Sequence, residues 1–185
     1  IGSSEFIRMA AGSLSMVLIN AALIRWGGDM HVAVYGVIHR GLSFFFMPLM
    51  GIAQGFQPIL GYNYGAGRLD RARSSIRLAI ITSTLLALAG FLTAQLFPAQ
   101  IFAIFTRDEM LIAEGSRAMR IITSMFFVIG FQIIGSAMFQ ALGKARPAFI
   151  LSLSRQVLLL IPFVLTLPSL LGSTDGVWLA FPLAD

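Results

Sequence analysis

The 185 residues are 57% hydrophobic and only 11% charged, whereas an ordinary soluble domain carries about 25% charged residues. With 16 Phe, 18 Gly and a mean hydropathy of +0.86, the chain has more apolar surface than one core of this size can hide, which excludes an ordinary water-soluble fold. The absence of Cys excludes disulfides, thiolate metal sites and cysteine nucleophiles, and the net charge of +5 is not gathered into the basic stripe that would mark a nucleic-acid partner.

A helix crossing a hydrocarbon core about 30 Å thick needs roughly 20 mostly apolar residues. Five runs meet that length: Phe6 to Ile24, Val32 to Leu60, Ile76 to Phe97, Ala118 to Leu142 and Ala148 to Leu167. A sixth opens at Val177 and reaches Asp185 in mid-pattern. The fold class expected is therefore an all-α polytopic membrane protein with five complete transmembrane helices and the start of a sixth. Because the chain opens at Ile1 without a Met, shows no leader-like pattern and stops within its sixth run, a piece of a longer protein is expected.

In the first span Met9, Ser13, Met16 and Asn20 share one helical face. A short loop holding Asp29 precedes the second span, where Tyr35, His39, Ser43, Phe46, Met50, Gln54 and Gln57 fall within an arc of about 100° at 3.6 residues per turn. Arg40 stands about 12 Å in from Val32 at 1.5 Å per residue. Gly51 and Gly55 form a small-xxx-small face suited to close helix contact, and Pro48 and Pro58 are expected to bend the helix.

Arg68, Arg71, Arg73 and Arg77 crowd the next loop, and Lys144 and Arg146 occupy the loop after the fourth span. By the positive-inside bias these loops and the N-terminus are cytoplasmic. The third span carries no charge from Leu78 to Phe97. Beyond Pro98, Thr106-Arg107-Asp108-Glu109 fits a capping box that would start the fourth helix on the outer surface. That helix carries Met125, Gln132, Ser136 and Gln140 on one face. In the fifth, Arg155 lies about 10 Å in from Ala148 and is expected to snorkel to the cytoplasmic surface.

Polar side chains inside a bilayer face a bundle interior or a water-filled cavity. Two readings of the stripes stand side by side: Ser, Asn and Gln bonding across the bundle, or a cavity wall in which adaptable thioethers and uncharged amides meet a substrate. On the second reading the candidate cavity residues are Asn20, Tyr35, His39, Arg40, Met50, Gln54, Gln132 and Ser136.

The stretch from Gly51 to Arg68, Gly-Ile-Ala-Gln-Gly-Phe-Gln-Pro-Ile-Leu-Gly-Tyr-Asn-Tyr-Gly-Ala-Gly-Arg, closely resembles the cytoplasmic end of the eighth helix in MATE (multidrug and toxin extrusion) transporters. Phe139-Gln140-Ala141-Leu142-Gly143-Lys144-Ala145-Arg146-Pro147 is similar to the end of the family's tenth helix, and Gly176-Val177-Trp178-Leu179-Ala180 to the opening of its twelfth. The resemblance covers the whole chain as a C-terminal lobe. It implies a V-shaped protein of two six-helix lobes, set in a bacterial-type inner membrane. Such a protein exports organic cations and drugs in exchange for protons or sodium ions by alternating access, with an N-terminal lobe as partner and without a cofactor.

Some sodium-coupled members carry membrane carboxylates in the seventh and tenth helices, and the corresponding parts here, around Gly12 and Ile129, have none. All eight acids fall in expected loops or at chain ends, so the coupling acid is expected in the other lobe. His39 is the one mid-span histidine, and buried beside cationic Arg40 it is expected to be a poor proton carrier. A lipid-linked oligosaccharide flippase of the same superfamily is the alternative, though it calls for several cavity cations where this chain offers Arg40. A channel would need a ring of carbonyls or like charges, and an enzyme would need paired carboxylates or a nucleophile with its base; neither pattern is found.

Overall fold

The computed structural model describes residues 2–144, 147, 150 and 154–185. These residues are helical almost throughout, with no strand among them. The elements are α1 (Gly2–Gly65), α2 (Leu69–Leu96), α3 (Pro98–Phe105), α4 (Glu109–Ile122), α5 (Phe126–Ala141), a π-helical segment (Ser154–Leu160), α6 (Ile161–Leu171) and α7 (Asp175–Ala184). Met9–Gly65, Leu69–Leu96 and Ser154–Leu171 are each long and apolar enough to cross a membrane, and α4 with α5, bent by 49° at their junction, makes a fourth candidate if the pair is one broken span.

The connection between the first two spans is tighter than the loop expected: two helices, the arms of α1, meet at a kink at Gly28, whose φ 72° and ψ −172° lie in a region that only glycine occupies without strain. The carbonyls freed at the break are satisfied from two sides: His31 Nδ1 donates to Gly27 O (2.7 Å) and Thr174 Oγ1, from the α6–α7 turn, donates to Trp26 O (3.1 Å). Pro48 and Pro58 both sit inside uninterrupted helix.

Helix α1 runs past Leu60 to Gly65 and ends in a Schellman motif. Gly67 is left-handed (φ 69°), Arg68 N–H bonds Asn63 O (2.9 Å) and Gly67 N–H bonds Tyr64 O (3.1 Å). Helix α5 ends the same way, with Gly143 at φ 70°, Lys144 N–H on Phe139 O (2.9 Å) and Gly143 N–H on Gln140 O (3.0 Å). Two of the motifs that carry the family resemblance are thus helix stops of one design, each followed by a cation suited to the negative helix end.

Helix α2 starts at Leu69, earlier than the apolar run suggests, because Asp70 favours the helix start while the arginines remain exposed. Its buried residues are Ala72, Ala79, Ser83, Ala87, Gly90 and Ala94. Small side chains let α5 approach closely: Ser83 Oγ donates to Gly130 O (3.2 Å), and a Cβ on Gly130 would lie 2.5 Å from Ser83 O. The close contact expected at Gly51 and Gly55 is absent from this lobe, since a Cβ on either would meet nothing within 4 Å.

The expected capping box is displaced. Thr106 is the C-cap of the short α3, and Asp108 is the N-cap of α4, its carboxylate accepting from Met110 and Leu111 N–H. Helix α3 buries Phe102 fully, with its ring over Gly115. The expected continuous helix to Leu142 breaks at Thr123–Met125 without Gly or Pro. Thr123 Oγ1 folds back on Met119 O (2.7 Å), and Gln95 of α2 donates to Arg120 O (2.8 Å) and Thr123 Oγ1 (3.1 Å). The expected start of the fifth span at Ala148 lies outside the described residues, as do Ala145 and Arg146 of the second basic loop. Its described part is π-helical to Leu160, just before Pro162, which has no N–H for the Leu158 carbonyl.

Two apolar clusters hold these elements together. The larger joins both arms of α1 (Ile19, Leu23, Val34, Ile38) to Phe102, Met119, Phe126, Val164, Val177 and Trp178. The smaller joins the end of α1 (Phe56, Leu60) to Ala72, Ala79, Ile134 and Ala137.

Candidate substrate-cavity face

Beyond Gly28, α1 has one face in the core and one open. Val34, Ile38, Leu49, Ala53, Phe56 and Leu60 are buried, while His39, Arg40, Met50 and Gln54 are exposed. The 3.6-residue period separates the two sets, so a stripe read from sequence becomes a surface. Ser43, Phe46, Met47, Met50, Gly51 and Gln54 line a shallow hollow of about 370 Å³ on it. The openness of Gly51 belongs to this hollow, where the missing side chain deepens the wall.

Among the described residues no acid pairs with Arg40, so the face carries positive charge without a counter-charge of its own. His39 is likewise exposed, not buried, and its carbonyl accepts from Ser43 Oγ (2.7 Å). The amide stripes of α1 and α5 meet at Gln57 Nε2, which donates to Gln140 Oε1 (3.2 Å). Gln132 and Ser136 are half-buried on α5, and Asn20 is half-buried on the first arm. Tyr35 stands apart from the others: it is packed inside the lobe, its ring 5.9 Å from Phe181 and 6.2 Å from His39. The arrangement offers apolar contact, uncharged donors and acceptors, and one free guanidinium.

A larger hollow of about 550 Å³ lies elsewhere, between the α2–α3 corner and α4, lined by residues including Gln100, Ser116, Arg117 and Arg120. It contains none of the stripe residues, and its Arg117 is engaged by Asp175.

One expectation about charge is overturned: Arg155 does not snorkel to the surface, and its guanidinium pairs with the Asp185 carboxylate at the end of α7. Asp185 is one of the chain-end acids, but its side chain is only 3% exposed. The partners are 30 positions apart, and only the packing of α7 against the π-helical segment brings them together.

The MatE family profile matches residues 6–166. The chain is 22% identical over 178 residues to the multidrug export protein MepA of Staphylococcus haemolyticus, covering 96% of this chain and 39% of that protein. It is 43% identical to the MATE multidrug transporter DinF-BH, solved as a complex, with a TM-score of 0.86 over all of this chain and 41% of that one. Inward-facing and outward-facing structures of a multidrug resistance MATE family transporter share the fold at 23% identity and a TM-score of 0.87. This chain spans about two fifths of the length of these relatives. With the profile matched over most of its residues, the chain belongs to the MatE family.

Proposed function

We propose that the chain is the C-terminal lobe of a secondary multidrug exporter, not an enzyme, and that the open face of α1 is its half of the substrate cavity. The observation that carries this reading is the exposure of His39, Arg40, Met50 and Gln54 on one side of α1, the last two lining a hollow, while the opposite side packs into the apolar core. Thioethers and amides accommodate many shapes without fixing a charge, as a broad substrate range demands. The likeness to a multidrug export protein and to a MATE multidrug transporter supports the same reading.

The two arms of α1 cross the membrane separately, so that α1, α2, α4 with α5, and the π-helical segment with α6 supply five crossings and α7 begins a sixth. The ends of α1 and α5 and the Arg68 to Arg77 cluster face the cytoplasm of a bacterial-type inner membrane. Transport is by alternating access, the lobe rocking against an N-terminal lobe in exchange for protons or sodium ions. The flippase alternative is disfavoured because, among the described residues, Arg40 is the single cation on this face. The experiment is reconstitution of the full-length transporter in proteoliposomes. It is expected to move fluorescent organic cations, with Gln54→Ala and Met50→Ala changing the relative rates among substrates. A protein that moves lipid-linked oligosaccharide and no organic cation would overturn the reading.

A further inference from the structure

Helix α7 starts at Asp175, where an exposed pair with Arg117 of α4 marks the polar end, and reaches Asp185 after ten residues. At 1.5 Å per residue that is about 15 Å, half of a hydrocarbon core about 30 Å thick. Asp185 is thus a carboxylate near mid-membrane, 3% exposed, with Arg155 as its bonded partner and Arg155 itself one-third exposed. An ionisable group at that depth is expensive and marks an ion path or proton relay more often than a fastening. As a fastening it is also inefficient, because a buried ion pair often contributes less than apolar residues of the same volume.

Three features distinguish this pair from a static brace. Arg155 sits in π-helical backbone, a geometry that recurs at functional sites and can revert to α by shifting one residue. The unequal exposure gives the guanidinium somewhere to go, while the carboxylate has none. The open face also comes to the level of the acid. The second arm of α1 and α7 run in the same direction, with His31 stacked on Trp178 at 6.2 Å and Tyr35 against Phe181 at 5.9 Å. Carried one turn further, that register brings His39, which is exposed on the cavity face, to the level of Asp185.

We propose that Asp185 is a proton-binding site within this lobe, with Arg155 as the counter-charge that occupies it when it is empty. A proton taken onto an Asp185 oxygen neutralises the carboxylate and takes the local charge from zero to +1. Arg155 then leaves, and the π-helical segment and α7 are no longer tied. Among the described residues the charged group bonded to Asp185 is Arg155 of the π-helical segment, and His39 of the second arm of α1 stands at its level by helical register. The first arm has no charge from Met9 to Ile24, α6 has no titratable residue, and Arg117 of α4 is held by Asp175 at the far end of α7. A proton suits the site better than sodium, which would need a shell of oxygens beside a guanidinium.

This inference rests on the transport reading for its purpose, but its first test does not. In full-length transporter, infrared difference spectra between acid and neutral pH are expected to show a protonated-carboxyl band that Asp185→Asn removes. The second test is efflux driven by a pH gradient. The double variant Arg155→Met with Asp185→Leu keeps an apolar contact, so a structural role predicts unchanged coupling. The proposal predicts retained drug binding with loss of gradient-driven efflux. A wild-type protein that exports no drug defeats the transport reading and leaves the infrared test standing. Absence of a band assigned to Asp185, stimulation by sodium in place of protons, or full proton-driven efflux by the double variant would overturn the proposal.

Discussion

Gly130→Ala puts the packing of α2 against α5 to a quantitative test. The added Cβ would lie 2.5 Å from the Ser83 carbonyl oxygen and 2.7 Å from its carbon, against backbone that cannot rotate away. Ordinary contact begins near 3.4 Å, so the helices must separate by close to an ångström, and a gap of that size forfeits a quarter to a half of each dispersion contact. Overpacking of this kind costs about 1–3 kcal/mol. Loss of the Ser83–Gly130 hydrogen bond adds about 0.6 kcal/mol, the average for interhelical bonds in a bilayer. Against this, Ala gains up to about 1 kcal/mol over Gly in helix propensity. The net is a destabilisation of about 0.6–2.6 kcal/mol. Gly135, on the same helix, is the internal control, because its Cβ would meet nothing within 4 Å and only the propensity gain remains. Thermal unfolding of the detergent-solubilised full-length transporter should place Gly130→Ala below wild type and Gly135→Ala at or above it. The reverse order would refute the packing argument.

Asp108→Ala removes an acceptor for two N–H groups at the start of α4 and should cost about 1 kcal/mol in the same assay, while Thr106→Ala costs less. Gly28→Ala forces a side chain into a region open only to glycine, for about 1–3 kcal/mol. For orientation, a single Cys at the exposed Ala66 should react with impermeant reagent only from the cytoplasmic side, and one at the exposed Arg107 only from outside; the opposite pattern inverts the topology.

Where the sequence carries a period or a length, it forecasts the structure well. On the second arm of α1 the polar His39, Arg40 and Gln54 are exposed and Val34, Ile38, Leu49, Phe56 and Leu60 are buried, although Phe44, Met47 and Ile59 are exposed as well, and the Gly-Ala-Gly-Arg and Leu-Gly-Lys stops fall where their glycines are. Local rules fail where tertiary partners decide. The stretch 25–31 reads as a loop holding Asp29, but the two helices meet directly at a kink at Gly28, anchored by His31 and Thr174. The break at Thr123–Met125 has no Gly or Pro to announce it, and Gln95, on another helix, completes it. Gly51 and Gly55 read as a contact face, yet the true close approach is between the small residues of α2 and Gly130. The row from Ala72 to Ala94 at helical spacing was the available signal for it. Asp185 was legible as an acid but not as Arg155's partner, because nothing local relates positions so far apart.

The central claim, that the open face of α1 lines the substrate path, is tested most directly by drug protection of single cysteines in the full-length transporter stripped of other reactive thiols. Gln54→Cys on the hollow is compared with Leu85→Cys, whose parent side chain is 60% exposed on the apolar α2. The account predicts that a transported organic cation slows modification of Gln54→Cys and leaves Leu85→Cys unchanged. Equal modification of Gln54→Cys with and without the drug would contradict it.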